Sequence, residues 1–127
     1  MRHRTALTLA LAATLPLALI AAAHAAGPAG RIAVTDLKPL FAHAAAEGSA
    51  RGVLTGPGAQ AIARRFQTDA PIEVDVRRLQ RLPEPGCGRL EVTTRQQAVA
   101  QDGQPRREQE LVYQISFCDD GRFPEDR

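Results

Sequence analysis

Two alternating runs on either side of Asp102-Gly103, each ending in a cysteine, constrain this chain more than any other feature. Asp-Gly between such runs is a strong signal for two antiparallel strands joined by a type I′ turn, which needs positive φ at both central residues. With Asp102 and Gly103 as the turn, facing residues have numbers that sum to 205. Leu90 then faces Ile115, Val92 faces Tyr113 and Thr94 faces Leu111, all on one apolar face. The other face pairs Arg95 with Glu110 and Glu91 with Gln114, which suits solvent. The same register sets Cys87 opposite Cys118. They are the only cysteines of the chain, and we expect a disulfide closing the open end of the hairpin. A strict two-residue turn makes 87 and 118 a hydrogen-bonded pair, with Cα atoms about 5.5 Å apart rather than about 4.5 Å. Disulfides accept that distance, but Pro105, Arg106, Arg107 and Glu108 point to an irregular loop end, where a bulge shifts the pairing. Two cysteines are too few ligands for a structural zinc site, and no metal or cofactor is expected.

Residues 1–25 read as a secretory signal peptide: Arg2, His3 and Arg4 precede an apolar run from Leu7 to Ala23, and Ala23-His24-Ala25 fits a cleavage site. Cleavage removes two of the 16 basic residues and none of the 14 acidic ones, leaving a balanced chain of about 102 residues. The basic surplus is thus a targeting feature and not a nucleic-acid footprint. That length suits one small domain, and an oxidising compartment suits the disulfide. The expected location is the periplasm, with no membrane span after cleavage.

Residues 26–35 read as a linker, with Arg31-Ile32-Ala33-Val34 able to add an edge strand or simply to pack. Thr35 or Asp36 caps a helix over about 36–47, Pro39 falls in its first turn, and Gly48 ends it. His43, the one histidine beyond the signal, sits beside the apolar stripe of Leu37, Leu40, Phe41 and Ala44 without other catalytic groups. The glycine-rich stretch Gly52–Gly58 lacks the lysine of a phosphate-binding loop and reads as a turn into a second helix over about 58–67, with Ala61, Ile62 and Phe66 inward. Ile72-Glu73-Val74-Asp75-Val76 alternates as a strand. Its outward carboxylates, Glu73 and Asp75, invite an acid–base reading, but Arg77 follows them and no apolar pocket separates their pKa values. Glu73, Asp75, Arg77, Arg78 and Arg81 are instead the candidate partner surface. Leu79 and Leu82 are expected in the core. Asp119, Asp120, Glu125 and Asp126 lack calcium-loop spacing.

These elements predict an α+β domain over 36–124 with a tail at 125–127. Two N-terminal helices pack on a three-stranded antiparallel meander sheet, whose hairpin is closed by the one disulfide. The expected core is Leu37, Leu40, Phe41, Leu54, Ile62, Phe66, Ile72, Val74, Val76, Leu79, Leu90, Val92, Leu111, Tyr113, Ile115 and Phe117. The outer strands offer edges to a partner.

Three phrases carry a family likeness: Pro71-Ile72-Glu73-Val74-Asp75-Val76, Gly86-Cys87-Gly88-Arg89-Leu90-Glu91-Val92-Thr93, and Phe117-Cys118-Asp119-Asp120-Gly121 with Pro124. Together, over about residues 50–124, they resemble small exported proteins encoded among conjugative-transfer (type IV secretion) genes of proteobacteria. The resemblance implies an accessory role at the cell envelope and brings no functional residues with it. The expected function is a non-enzymatic periplasmic accessory or interaction protein whose partner is an envelope or secretion-system protein, and not nucleic acid. The alternative is a small secreted inhibitor or immunity-type binder. Ser49, Ser116 and His43 are the remaining serines and histidine beyond the signal, and nothing orients them for nucleophilic catalysis.

Overall fold

Period-two alternation dominates the chain from Ile72 onward, and it builds three long strands. A computed structural model of the chain describes residues 30–125. The expected signal peptide therefore lies outside the described residues. In chain order the elements are β1 (Ile32–Val34), α1 (Lys38–Glu47), β2 (Ser49–Leu54), α2 (Gly56–Phe66), β3 (Ile72–Arg81), β4 (Cys87–Gln101) and β5 (Gln104–Cys118). The strands form one sheet in the order β1-β2-β3-β4-β5. β1 runs parallel to β2, and every other pair is antiparallel.

This architecture corrects the predicted fold class. Two N-terminal helices on a three-stranded antiparallel meander do not form. The sheet has five strands and is mixed, and the helices are inserted between strands. The disulfide joins β4 and β5 inside this larger sheet instead of closing a separate hairpin. The physical reason lies in residues 49–54. Gly52 looks like turn punctuation, yet it is the strand residue over which α1 crosses. A Cβ at Gly52 would stand 2.5 Å from Leu40 Cδ1 and 3.1 Å from the Ile32 carbonyl oxygen. Only glycine lets α1, β1 and β2 come so close. β2 then pairs with β3 from Ser49–Arg77 to Leu54–Ile72, and β1, at the end of the expected linker, pairs with its other side.

α1 begins after Leu37 with Pro39 in its first turn, and the Lys38 amide donates to Asp36 Oδ1 at 3.0 Å. Gly48 ends it with φ 102°. Leu40, Phe41, Ala44 and Ala45 are buried against Ala50, Val74, Val76, Leu90, Val92 and Phe117. Phe41 meets Phe117 edge to face, with ring centroids 5.5 Å apart, a favoured aromatic geometry. α2 is a rim element with no fully buried residue. Ile62 and Phe66 are half-buried, but Ala61 faces solvent, contrary to expectation. The Thr68 hydroxyl donates to the Gln97 carbonyl, and Gln96 Nε2 donates to the Ala70 carbonyl; these bonds tie the segment after α2 to β4.

Two other expected core residues are outside. Leu79 is 41% exposed because the β3–β4 ladder slips between Arg78 and Gln80, leaving Leu79 as an extra residue turned outward. Leu111 is 61% exposed. It faces Thr94 on the outermost strand, away from the Phe117 end that α1 covers.

The β4–β5 pairs at Cys87–Cys118, Leu90–Ile115, Glu91–Gln114, Val92–Tyr113, Thr94–Leu111 and Arg95–Glu110 are those expected from the sequence. The turn is not type I′, since Gly103 has φ 70° while Asp102 is not among the positive-φ residues. Positive φ at the second turn residue alone excludes type II′ as well, and the remaining turn types match strand twist less well. The ladder beside this one is irregular on both sides of Val99–Arg107, with Ala98 at φ 54°. One extra residue on each strand restores the register but changes the hydrogen-bonding phase. Cys87 and Cys118 are disulfide-bonded with Cα atoms 3.9 Å apart, on the side of the close, non-hydrogen-bonded pair.

Two outcomes test this packing. Gly52→Ala should lower the unfolding free energy by about 2 kcal/mol, the scale of overpacking a tight core, as read by urea denaturation. Reducing the bridge should lower it by about 3–4 kcal/mol on the chain-entropy estimate for a loop of this size. Cys87→Ser, Cys118→Ser and the double variant should lose similar amounts. Additive losses would show that the two cysteines act separately.

Candidate functional site

Side chains that alternate away from α1 form the open face of the sheet. β2 contributes Ser49, Arg51 and Val53 to it; β3 contributes Glu73, Asp75 and Arg77; β4 contributes Glu91, Thr93 and Arg95; and β5 contributes Glu110, Val112 and Gln114. Their registers bring them side by side: Arg51 faces Asp75, Asp75 faces Thr93, Arg77 faces Glu91, and Arg95 faces both Glu73 and Glu110. Opposite charges placed directly across strands attract.

Asp75 is the centre of the array. Arg31 Nη1 donates to its Oδ1 at 2.8 Å, and Arg95 Nη1 donates to its Oδ2 at 3.0 Å. Arg51 Nε donates to Oδ1 at 3.4 Å. Arg95 continues outward through Nε to Glu110 at 2.6 Å, and Arg77 Nε bonds Glu91 at 2.8 Å. Arg31 is only 5% exposed. Its remaining donor capacity goes to the carbonyls of Gly52 and Val74, both at 3.3 Å, while Glu73 lies 3.4 Å from Nη2. The fork geometry of arginine suits such multiple donation. Burial pushes the Asp75 carboxyl up, but hydrogen bonds and charge from Arg31 and Arg51 outweigh it and hold the group below its ordinary value. A hollow of about 430 Å³ opens on this face between Ser49, Arg51, Asp75, Arg77, Glu91, Thr93 and Arg95.

Of the candidate partner surface, Glu73, Asp75 and Arg77 are brought together here. Arg78 is not. It points to the α1 side, where its stem lies over Gly88 and Nη1 donates to the carbonyls of Ala45 and Ala46, satisfying the end of α1. Arg81 is exposed at the far end of β3, opposite Gly88. Three members of the array escaped the sequence reading as a group. Arg31 immediately precedes β1 and Arg51 lies in β2, and nothing short of knowing how β1 and β2 pair with β3 reveals their partner. Arg95 was legible through its predicted pairing with Glu110.

The arrangement offers fixed, compensated charge and no free acid or base at Asp75. Elsewhere, His43 is exposed on α1, and Arg89 Nη1 donates to the Ser116 hydroxyl. Glu84, Cys87 and Cys118 come together, but both sulfurs are in the disulfide and offer no thiolate to a metal. The acidic end is engaged too: Asp120 and Glu84 pair with Arg122. Among the described residues no helix is long and apolar enough to cross a membrane.

No family model, curated protein or solved structure matches the chain. The functional reading therefore rests on the open face itself.

The face has a direct test. Asp75→Asn should cost about 3 kcal/mol, the low end for breaking a buried ion pair, because Asp75 keeps 31% of its side-chain surface exposed and Arg31 keeps two carbonyls. The sign of the pH effect follows from the lowered carboxyl. Its stabilisation is fully present above the unfolded value of about 3.9 and is lost as pH falls through the lower folded value. Urea midpoints measured from pH 7 down into that range should fall steeply for the native chain and less so for Asp75→Asn.

Proposed function

We propose that this protein is a non-enzymatic interaction module, exported to the periplasm through a cleaved signal peptide, that docks an envelope or secretion-apparatus protein on the open face of its sheet. One observation carries the reading: a half-exposed array of alternating charges, rigidly cross-bonded through Asp75, lies on the uncovered side of a thin two-layer domain. Arg77 and Arg51, 67% and 59% exposed, stand at its border with free donor capacity for a partner's carboxylates. Pre-paired charges cost less to desolvate than isolated ones, and they select partners by position more than by net attraction. The disulfide is compatible with export. The likeness to exported proteins of conjugative-transfer clusters makes a component of a DNA-transfer apparatus the partner to look for first.

Cross-linked affinity capture from the envelope of the protein's own cells tests the proposal, using the native chain beside Arg77→Glu. Arg77 is 67% exposed, so solvent screens both the lost pair and the new glutamate across from Glu91, and the fold should stay intact. The native chain should recover envelope or channel components and Arg77→Glu several-fold less. Recovery of one soluble hydrolase in fixed stoichiometry would favour an inhibitor, and equal capture by both chains would remove the open face from the account.

A further inference from the structure

We infer that β5 is the dimerisation strand of this protein, pairing antiparallel with β5 of a second copy about a two-fold axis at Val112. β5 is the outermost strand of the sheet, with β4 on one side only. Among the described residues, no loop or helix gives a backbone hydrogen bond to residues 105–117. Proteins guard such edges with charges, proline or short strands. The first half of β5 is guarded by Pro105, Arg106, Arg107, Glu108 and Glu110. The second half, Leu111-Val112-Tyr113-Gln114-Ile115-Ser116-Phe117, holds no charge, proline or glycine. Leu111 and Val112 are adjacent and expose 61% and 50% of their surface.

The backbone groups on this edge can be assigned. The Cys118 amide leaves the sheet to donate to the Arg122 carbonyl at 2.9 Å. The ladder is regular from Gln109 to Cys118, and backbone direction alternates along a strand. The N–H and C=O groups of Glu110, Val112, Gln114 and Ser116 therefore point to the open side. A two-fold axis perpendicular to the sheet at Val112 places Val112 opposite Val112 and Glu110 opposite Gln114. These outward groups then bond each other in both directions. Leu111 meets Tyr113 of the second copy on the α1 side. Glu108 meets Ser116, and no like charges face each other.

Several other registers fail on charge or fit. An axis at Glu110 or Gln109 opposes glutamates, while one at Tyr113 sets Val112 against Gln114. The helices do not obstruct the pairing. α1 packs on Phe117, five residues from the axis or about 17 Å along the strand, so the two α1 helices lie at opposite ends. The result is an isologous dimer with a continuous ten-stranded sheet, and this inference does not depend on the partner proposed above.

Sedimentation of the protein purified from cells expressing the full chain tests it, beside Val112→Pro and Val112→Lys. Proline at 112 removes only an amide that β4 does not use, a position where edge strands tolerate it. Lysine is the natural edge guard, and it keeps the test open if the proline variant does not fold. The native chain should sediment at twice the monomer mass at micromolar concentration, with the amides of Glu110, Val112 and Gln114 protected from exchange in a concentration-dependent way. The folded variants should be monomers with unchanged circular dichroism, at least tenfold weaker in association. A monomeric native chain would overturn the inference, including one that pairs this edge with a different polypeptide. So would a dimer that survives either variant when folded.

Discussion

One carboxylate gathers the charge of the sheet. Asp75 lies on the middle strand and accepts from Arg31 beside β1, Arg51 on β2 and Arg95 on β4, and Arg95 passes the connection to Glu110 on β5. All five strands are thus joined on the open face by one ionic ribbon. Arg31 makes the ribbon obligatory. A guanidinium left 5% exposed needs a counter-charge, because a buried unpaired charge costs several kcal/mol. The short β1, with three residues and a parallel partner, has little ladder of its own to hold it, so the Arg31–Asp75 pair supplements its hydrogen bonds at the weakest edge.

The opposite edge is held by other means. The Cys87–Cys118 bridge ties β5 to β4 at the end that α1 covers, where Phe41, Phe117 and Phe123 meet edge to face in series. Toward the turn, the ladder takes up two offsetting irregularities. They have a consequence beyond the turn. Because the phase of hydrogen bonding changes while the register does not, the even-numbered residues of β5 send their backbone groups outward. The open edge and the charged open face therefore meet at Val112, and a pairing of two copies there would extend the ionic ribbon across both.

Legibility in the sequence followed contact distance. The β4–β5 register was readable because alternation, an Asp-Gly turn and two cysteines all agree within one continuous segment. The strand at 72–76 and the capping of α1 by Gly48 were local as well. β1 was legible only as an edge strand or a packed segment, and β2 was not readable as sheet. In Ser49-Ala50-Arg51-Gly52, Ala50 and Gly52 are small because α1 crosses close above them, and only the folded helix explains the glycine. The missing strands hid two of the three arginines around Asp75, and the same omission made the helices look N-terminal to the sheet. Leu79 and Leu111 carry core-type side chains at a bulge and an edge, where the pattern of alternation cannot tell burial from exposure. Arg78 looked like its neighbour Arg77, but alternation sends it through the sheet to the end of α1.

Asp75 is an ionised hub held by arginines on and beside the neighbouring strands. Carbon-detected NMR titration of its side-chain carboxyl in the folded protein measures this directly. A midpoint below the ordinary aspartate value, returning toward it when Arg31 is replaced by methionine, is the predicted result. A midpoint at or above the ordinary value would show that burial outweighs the arginines, and would contradict the ribbon as the feature that organises the sheet.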